Sequence, residues 1–276
     1  MIITVKDVCM SGQKIHPTAI IDPGATLGDH VEIGPYSVIA DHVILEEGVK
    51  ISSHCHVEGR TRVGAYTQIF PGAVIGTIPQ DKKFHEGDEV YLEIGKRNVI
   101  RECVTMNPGT LDCSGKTVIG DGNLFMAYTH VAHDCVVGNN CVFANLATLA
   151  GHVTIEDNAV IGGLTGIHQF VRVGRLAMVG GCSRVTQDAP PFGMCADGDA
   201  KVYGLNLIGL RRAGVSKDAQ HILKSAFKYL FRSGLSKSHA LEKIQSELTM
   251  CPELEHLVRF VEKSERGLLP GAQSAV

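Results

Sequence analysis

An aliphatic or aromatic residue returns at every sixth position along most of this 276-residue chain, and this period constrains the fold more than any other feature. An α-helix repeats its faces every 3.6 residues and a β-strand every 2, so neither produces a period of six. A parallel β-helix of hexapeptide repeats does. The positions form three runs, which are Ile15, Ile21, Leu27, Ile33, Ile39, Leu45, Ile51, Val57, Val63, Ile69 and Ile75, then Ile94 and Ile100, then Ile119, Phe125, Val131, Val137, Phe143, Leu149, Ile155, Ile161, Ile167, Val173, Val179 and Val185.

The residue two positions before each of these is mostly small, which suits the interior of a narrow prism. Trp is absent and aromatic residues make up only 5% of the chain, as expected where large rings have little room. Three hexapeptides would form one triangular turn, so residues 18 apart should lie about 4.8 Å from each other. We expect glycines that follow the aliphatic residues to supply the corner conformations that other residues dislike, among them Gly28, Gly34, Gly120 and Gly162.

The repeat is interrupted twice, by polar segments at about residues 77–93 and 108–117. Insertions in a repeat array form loops, often on the binding face, so both are candidates for substrate contact. The repeats end near Asp188, and a helical pattern begins after Ser216 as N-cap and stops at Gly234. We therefore predict two domains: a β-helix over residues 1–190 that carries both loops, and a linker with a C-terminal α-helical domain over residues 191–276.

The charge is distributed unevenly along the chain. Residues 1–200 carry 14 Lys and Arg against 22 Asp and Glu, whereas residues 201–276 carry 12 against 7. Five basic residues follow one face of the first predicted helix, and they form either a solvated face or a docking surface for an acidic partner: Lys217, His221, Lys224, Lys228 and Arg232. The overall net charge of −3 argues against a nucleic-acid partner.

Three observations predict a cytoplasmic protein. No apolar segment approaches the roughly 18 residues needed to cross a bilayer, so we expect no membrane span. The first residues lack the basic and apolar regions of a signal peptide. The nine cysteines are scattered without metal-site spacing, and an odd number of such thiols fits a reducing compartment.

A polar cluster in the third run is the candidate site. His133, Gly151 and Gln169 are spaced by 18 residues and should stack on neighbouring turns, with Asp134 and His152 as the adjacent pair. A histidine beside a carboxylate can act as a general base, because the carboxylate orients the ring and raises its basicity. The N–H of Gly151 could approach a reacting carbonyl as an oxyanion donor.

This arrangement favours acyl transfer. No Ser or Cys occupies an obvious nucleophile position, so a substrate hydroxyl deprotonated by His133 would attack an acyl thioester directly. A zinc enzyme resembling γ-carbonic anhydrase, with three histidines from adjacent prisms as ligands, is an alternative. A non-catalytic β-helix is less favoured, because flat Thr ladders are expected there rather than a His-rich patch with two polar loops.

Several motifs resemble those of UDP-N-acetylglucosamine O-acyltransferases, the acyl-carrier-protein-dependent enzymes that begin lipid A synthesis. The resemblance spans nearly the whole chain and rests on IHPTAI at 15–20, PQD-x-K at 79–83, IRE at 100–102, HVAHD at 130–134, LAGHV at 149–153, GxHQF at 166–170, MVGGCS at 178–183 and the tail GLNLIGLRR at 204–212. It implies a left-handed β-helix, a homotrimer with active sites between prisms, and no cofactor or metal. It also implies transfer of an (R)-3-hydroxyacyl group from acyl carrier protein to the 3-hydroxyl of UDP-N-acetylglucosamine.

The resemblance further implies roles for individual residues. His133 would be the general base, oriented by Asp134, and Gly151 the oxyanion donor. The remaining positions would bind substrate: Gln80, Asp81 and Lys83 in the first loop, His130, His152, His168 and Gln169 at the nucleotide sugar, Gly181 as the determinant of acyl length, and Asn206 and Arg212 at the nucleotide and its phosphates.

Some positions depart from residues that are frequent in the family, namely Asn107, Ile208, Ala213 and the pair Gly198–Asp199. These departures leave open which residues contact the uridine diphosphate. They also leave open an alternative acceptor, a UDP-sugar that carries an amino group at sugar position 3. An N-acyltransferase of the same pathway is a closer rival. It has an additional N-terminal uridine-binding domain, whereas the repeats here begin by residue 15.

Overall fold

The computed structural model describes residues 12–85 and 87–272. The first residues of the chain, where no signal peptide is expected, lie outside the described part. Short strands build a parallel β-helix. Before the first insertion these are β1 (Lys14–Ile15), β2 (Ile20–Ile21), β3 (Thr26–Leu27), β4 (Glu32–Ile33), β5 (Val38–Ile39), β6 (Ile44–Leu45), β7 (Lys50–Ile51), β8 (His56–Val57), β9 (Arg60–Val63), β10 (Gln68–Ile69) and β11 (Val74–Ile75).

Between the two insertions lie β12 (Tyr91–Ile94), β13 (Val99–Ile100) and β14 (Thr105–Met106). After the second come β15 (Lys116–Ile119), β16 (Leu124–Phe125), β17 (His130–Val131), β18 (Val136–Val137), β19 (Val142–Phe143), β20 (Thr148–Leu149), β21 (Thr154–Ile155), β22 (Val160–Ile161), β23 (Gly166–Ile167), β24 (Arg172–Val173), β25 (Met178–Val179) and β26 (Arg184–Val185). β12 and β15 begin a few residues before the predicted loop ends at 93 and 117.

Each of these strands pairs in parallel with the third strand along the chain, which gives three faces. In the described residues the sheets have 11, 9 and 8 strands, and the largest includes the two strands of a hairpin that follows β26. Paired residues are 18 apart in most of the prism, as for His130 and Thr148. The spacing rises to 31 for Gln68 and Val99, and to 25 for Val99 and Leu124. Both insertions therefore leave the prism as loops without disturbing its register.

The core consists of the aliphatic residue of each hexapeptide and the small residue two positions before it. Phe125 and Phe143 are completely buried and stack with ring centroids 4.7 Å apart. Polar residues at the small positions bind the next turn, since the Ser37 hydroxyl donates to the carbonyl of Ser52 at 2.7 Å and that of Thr165 to Gly180 at 2.9 Å. Burial of two side chains per hexapeptide is the main source of stability for strands only two residues long.

The prism corners correct the expectation about glycine. One residue per corner adopts a positive φ, and it usually carries a side chain, as at Asp134 (57°) and His152 (61°). Of the glycines that follow the aliphatic residues, Gly76 has a positive φ of 84°, whereas those at 28, 34, 120 and 162 do not have one. They are required for close approach instead: a Cβ at Gly162 would lie 2.3 Å from the nitrogen of Gly181 on the next turn.

The prism is closed by an antiparallel hairpin of β27 (Gly193–Ala196) and β28 (Lys201–Leu205). Four helices follow: α1 (Leu207–Arg212), α2 (Lys217–Phe231), α3 (Lys237–Glu247) and α4 (Pro252–Glu262). Ser216 caps α2, as predicted, by accepting from the N–H of Ala219. None of the helices in the described chain is long and apolar enough to cross a membrane.

A polar contact holds α4 against the prism. Nε2 of His256 lies 2.7 Å from Oε2 of Glu156, which also accepts from the N–H of Arg175 at 2.8 Å. The guanidinium of Arg172 lies 3.6 Å from the other oxygen of Glu156 and 4.2 Å from the ring centroid of Phe260. Helical residues and prism residues therefore share one partly buried charge network.

Candidate active site

The candidate base occupies the corner that follows β17. Val131 and Cys135 point into the core on either side, which leaves His133 and Asp134 at the corner itself. Even so, both are largely covered, with 8% and 6% of their surface exposed. The hexapeptide pattern therefore fixes the backbone of this pair, and neighbouring loops exclude water from its side chains.

A hydrogen-bonded chain of three residues orients the histidine. Nδ1 of His133 lies 2.9 Å from Oδ2 of Asp134. The Thr110 hydroxyl donates to the same carboxylate oxygen at 2.7 Å, and the Thr110 N–H lies 3.1 Å from each of the two oxygens. Since a carboxylate only accepts, Nδ1 carries the proton and Nε2 is left as the basic nitrogen.

Gly151 lies on the turn after His133, as the spacing of 18 predicted. The N–H of His152 donates to the carbonyl of His133 at 3.0 Å, so the two turns are in register here. A Cβ at Gly151 would lie 2.5 Å from Cε1 of His133, so any side chain would displace the ring. No acceptor for the N–H of Gly151 is found within the described part of the chain.

His152 stands beside the pair. Its Nε2 lies 3.9 Å from Oδ2 of Asp134, and its ring contacts that of His133 edge-on at 5.1 Å. On the next turn Phe170 stacks on His152 at 4.6 Å. Burial lowers the pKa of His152, the charge of Asp134 opposes this effect, and the net direction is downward.

The first loop approaches His133 from the other side. A carboxylate oxygen of Asp81 lies 3.8 Å from Nε2 of His133. The side chain of Asp81 also accepts from the N–H of Lys83, whose ammonium group lies 3.5 Å from Asp112 in the second loop. The two loops thus meet over the corner, while Gln80 is exposed.

The remaining predicted histidines lie around this centre. Nδ1 of His130 is 2.7 Å from the hydroxyl of Thr105, and burial together with the charge of His133 lowers the pKa of His130. His168 is exposed, with Nδ1 3.1 Å from the carbonyl of Gln169. Gln169 is half-buried and follows Gly151 by one turn.

The three predicted positions nearest the C-terminus differ in their surroundings. Gly181 is exposed, and a Cβ there would lie 3.0 Å from the carbonyl of Gly163. Asn206 is buried: its amide donates to the carbonyl of Leu176 at 2.9 Å, and its oxygen caps α1 by accepting from Gly209. Arg212 is exposed at the end of α1. Asn206 thus has a structural role, and its contact with substrate stays a prediction.

Sequence reasoning missed three residues of the site. Thr110 was not identified, because nothing in the repeat indicates that the second loop returns to Asp134. Phe170 could have been found, since it follows Asp134 and His152 at intervals of 18. Asn107 was noted only as a departure, yet it holds the first loop through the carbonyls of Thr77 and Ile78, at 3.0 and 3.2 Å.

One group within the described residues combines three potential metal ligands. Ligand atoms of Cys113, Asp134 and His152 all lie within 4.8 Å of one another. This set differs from the three histidines of the zinc alternative, which would come from adjacent prisms.

Comparison with known proteins identifies related sequences. Residues 188–269 match the family model for domain 2 of UDP-N-acetylglucosamine O-acyltransferase, and residues 116–151 match the model for the bacterial transferase hexapeptide. The chain is 49% identical over 255 residues to the acyl-(acyl-carrier-protein)–UDP-N-acetylglucosamine O-acyltransferase of Thermodesulfovibrio yellowstonii, which covers 92% of this chain and 98% of the relative. A relative of the same name from Rhizobium johnstonii is 44% identical over 248 residues, which cover 90% of this chain and 91% of the relative.

Solved structures show the same fold. The structure of LpxA from Acinetobacter baumannii superimposes with a TM-score of 0.90 at 42% identity, and covers 92% of this chain and 99% of that one. The UDP-N-acetylglucosamine acyltransferase from Campylobacter jejuni gives a TM-score of 0.88 at 39% identity, and the match covers 94% of this chain and 100% of that one. The predicted left-handed β-helix with C-terminal helices is therefore confirmed.

Proposed function

This chain belongs to the UDP-N-acetylglucosamine O-acyltransferase family, and from that premise we propose that it transfers an (R)-3-hydroxyacyl group from acyl carrier protein to the 3-hydroxyl of UDP-N-acetylglucosamine. This is the first step of lipid A synthesis. The observation that supports the proposal most strongly is the buried chain from Thr110 through Asp134 to His133, which leaves Nε2 of the ring as a base.

In the proposed mechanism, Nε2 of His133 removes the proton of the sugar 3-hydroxyl as its oxygen attacks the thioester carbonyl. Asp134 stays ionised and stabilises the imidazolium that forms. The N–H of Gly151 donates to the carbonyl oxygen as it becomes an oxyanion. When the tetrahedral intermediate collapses, the carbon–sulfur bond breaks, and the carrier thiolate takes the proton from His133. The products are the 3-O-acyl sugar nucleotide and the free carrier thiol.

The other predicted residues would bind the two substrates. Asp81 lies beside Nε2 of His133, where the attacking hydroxyl would stand, so we assign it and its neighbours Gln80 and Lys83 to positioning of the reacting groups. The nucleotide sugar would contact His130, His152, His168, Gln169, Asn206 and Arg212, and Gly181 would leave room for a long acyl chain. Cofactor and metal have no part in this mechanism.

Acyl carrier protein would dock on the basic face of α2. All five basic residues predicted to share this face are exposed. Lys224, Lys228 and Arg232 also line a cavity of about 410 Å³ between α2 and β28, whose remaining lining includes Phe227 and Phe231. A basic rim around an apolar floor suits an acidic protein that presents an apolar residue.

We infer a homotrimer from an apolar column on the prism. Tyr128, Leu146 and Leu164 are spaced by 18, occupy equivalent corner positions and are 58%, 45% and 61% exposed. Contiguous apolar surface of this kind marks an interface, and burial between prisms would remove it from water. The reaction would take place in the cytoplasm, whose reducing conditions fit eight described cysteines that are all free.

The test is an assay of the purified protein with UDP-N-acetylglucosamine and carrier thioesters of several hydroxyacyl lengths, read by mass spectrometry. We expect a product heavier by one hydroxyacyl group, and loss of about 10²–10⁴ in rate for His133→Ala with the trimer intact. A matched reaction contains the acceptor analogue with an amino group at position 3. Transfer to the analogue alone, or unchanged activity in His133→Ala, would refute the proposal.

A further inference from the structure

The second loop places a thiol against the candidate active site. Ligand atoms of Cys113, Asp134 and His152 lie within 4.8 Å of one another, and they combine a sulfur, a carboxylate oxygen and an imidazole nitrogen. We propose that these three side chains form a binding site for Zn²⁺ or a similar thiophilic divalent cation, and that the bound cation inhibits the enzyme.

The donor set selects the metal by its chemistry. Cys, His and Asp are the side chains that bind zinc, at about 2.0–2.3 Å, and a thiolate disfavours Mg²⁺ and Ca²⁺. Nε2 of His152 and Oδ2 of Asp134 are 3.9 Å apart. Two such ligands on one tetrahedral zinc ion lie about 3.4 Å apart, so a closure of about 0.5 Å would bring this pair to the separation that zinc requires. The third ligand lies on an exposed residue of the loop, so its rotamer can adjust when the ion enters.

The protein already holds the three residues in place. The carbonyl of Thr110 accepts from the N–H of Cys113 at 3.2 Å, which closes the turn that carries the thiol. Thr110 also donates to Asp134 through its N–H and its hydroxyl, so the same residue ties the turn to the carboxylate. The ring of His152 is fixed by Phe170 on one side and His133 on the other. Neither of its nitrogens has a hydrogen-bond partner among the described residues.

Inhibition is expected because Asp134 would both orient His133 and bind the cation. Its Oδ2 orients His133 at 2.9 Å, and a cation bound by that carboxylate would compete for the same electron pairs. The ion would also lie beside His133, in the space where the substrates of the proposed reaction meet. Binding itself rests on the geometry alone, whereas inhibition rests on the proposed function, so the two are tested separately.

The binding test uses the metal alone. Metal-free protein is titrated with Co²⁺, whose bond to a thiolate gives a charge-transfer absorption band, and Zn²⁺ affinity is measured by competition with a chromophoric chelator. We expect the band and one ion per chain in the unmodified protein. Cys113→Ser should abolish the band and weaken zinc binding by more than about tenfold, since even the loss of an outer-shell partner costs that much. Cys182→Ser is the matched control, because Cys182 is also exposed in the single chain but lies outside the cluster.

The site is overturned if the unmodified protein gives no thiolate band, if Cys113→Ser retains it, or if Cys182→Ser loses it. Inhibition is measured next, with the rate of each protein expressed relative to its own rate in chelator. Zinc should inhibit the unmodified protein and Cys182→Ser at concentrations at least about tenfold below those needed for Cys113→Ser. Equal inhibition of all three overturns the inhibitory role, and a protein that binds cobalt but lacks transferase activity contradicts the proposed function instead.

Discussion

Nδ1 of His133 lies 2.9 Å from Oδ2 of Asp134, although the two residues are consecutive in the chain. Consecutive side chains point to opposite faces of a strand and would not meet there. They meet here because Asp134 occupies the corner position with a φ of 57°. The base and the carboxylate that orients it are therefore placed by one hexapeptide corner, and the second loop supplies the donors that hold the carboxylate.

Thr110→Val tests whether those donors matter for the proposed reaction. The substitution keeps the shape and the backbone N–H bonds but removes the hydroxyl that donates to Asp134 at 2.7 Å. A hydrogen bond to a charged group contributes about 1.5–3 kcal/mol, so we expect kcat to fall about tenfold or more while KM for both substrates changes little. Steady-state kinetics measure this, and Thr110→Ser should restore kcat. A Ser variant as slow as the Val variant would mean that the hydroxyl is not responsible.

Gly151→Ala should damage the site without damaging the fold. The added Cβ would lie 2.5 Å from Cε1 of His133, so the ring must turn away from its position against Asp134. We expect kcat to fall by at least about 10², because misplacement of a reacting group by 1 Å has that effect. Gly166→Ala is the control, since a Cβ there meets nothing within 4 Å. Comparable kinetics for the two variants would argue against close packing of Gly151 on the base.

The prism was predictable in detail because its register follows from the sequence period. Once the chain is counted in eighteens, Gly151 must lie next to His133 and His152 next to Asp134. The corner conformation was not predicted correctly, since it was expected at glycines such as Gly28 and Gly34, whereas the structure has it two positions later, at His30 and Tyr36. Hydrogen bonds between turns, such as that from Asn140 N–H to the carbonyl of Asp121 at 2.8 Å, hold these residues in the left-handed region.

The contacts that the two loops make escaped prediction, because the loops have no period. The interruption of the repeat shows how long each loop is. The contacts from Thr110 to Asp134 and from Asp81 to His133, however, depend on loop conformations that no repeat encodes. Motif resemblance also says little about packing. The resemblance predicted that Asn206 binds the nucleotide, but it did not indicate that the side chain caps α1 and donates to the carbonyl of Leu176.

Charge reversal on α2 tests the carrier-docking surface. In Lys224→Glu/Lys228→Glu, two exposed cations become anions and should repel an acidic carrier. Exposed ion pairs contribute up to about 1 kcal/mol each, so KM for the carrier-bound donor should rise about tenfold, while KM for the sugar nucleotide stays constant. Lys96→Glu, an exposed lysine on the prism, is the control. An unchanged KM for the donor, or an equal rise in the control, would exclude this face as the docking surface.

Leu164→Asp tests the trimer. Leu164 is 61% exposed in the single chain, and a carboxylate buried there between prisms would be desolvated without a partner. We expect light scattering to show monomers in place of trimers at micromolar concentration, and activity to fall in parallel. Met250→Asp, 42% exposed in the helical region, should leave the mass unchanged. If Leu164→Asp keeps the mass of the unmodified protein, the column lies outside the subunit interface.

Glu156→Gln tests how the C-terminal helices are held. Burial alone raises the pKa of Glu156, but the hydrogen bond from His256 and the N–H of Arg175 outweigh it, so the net pKa is lowered. A lowered carboxyl pKa stabilises the folded state at pH values above the pKa of the group in the unfolded chain, about 4.3. That stabilisation is lost as the pH falls through the folded pKa.

We expect Glu156→Gln to lower Tm by about 2–6 °C at pH 7, because a partly buried charge network loses its anion. The difference should shrink as the pH is lowered below about 4. Glu262→Gln is the matched control, because it makes the same change from carboxylate to amide at an exposed residue that contacts Gln245 in the helical region. A Tm difference that is independent of pH would show that Glu156 stabilises the contact through packing and not through its charge.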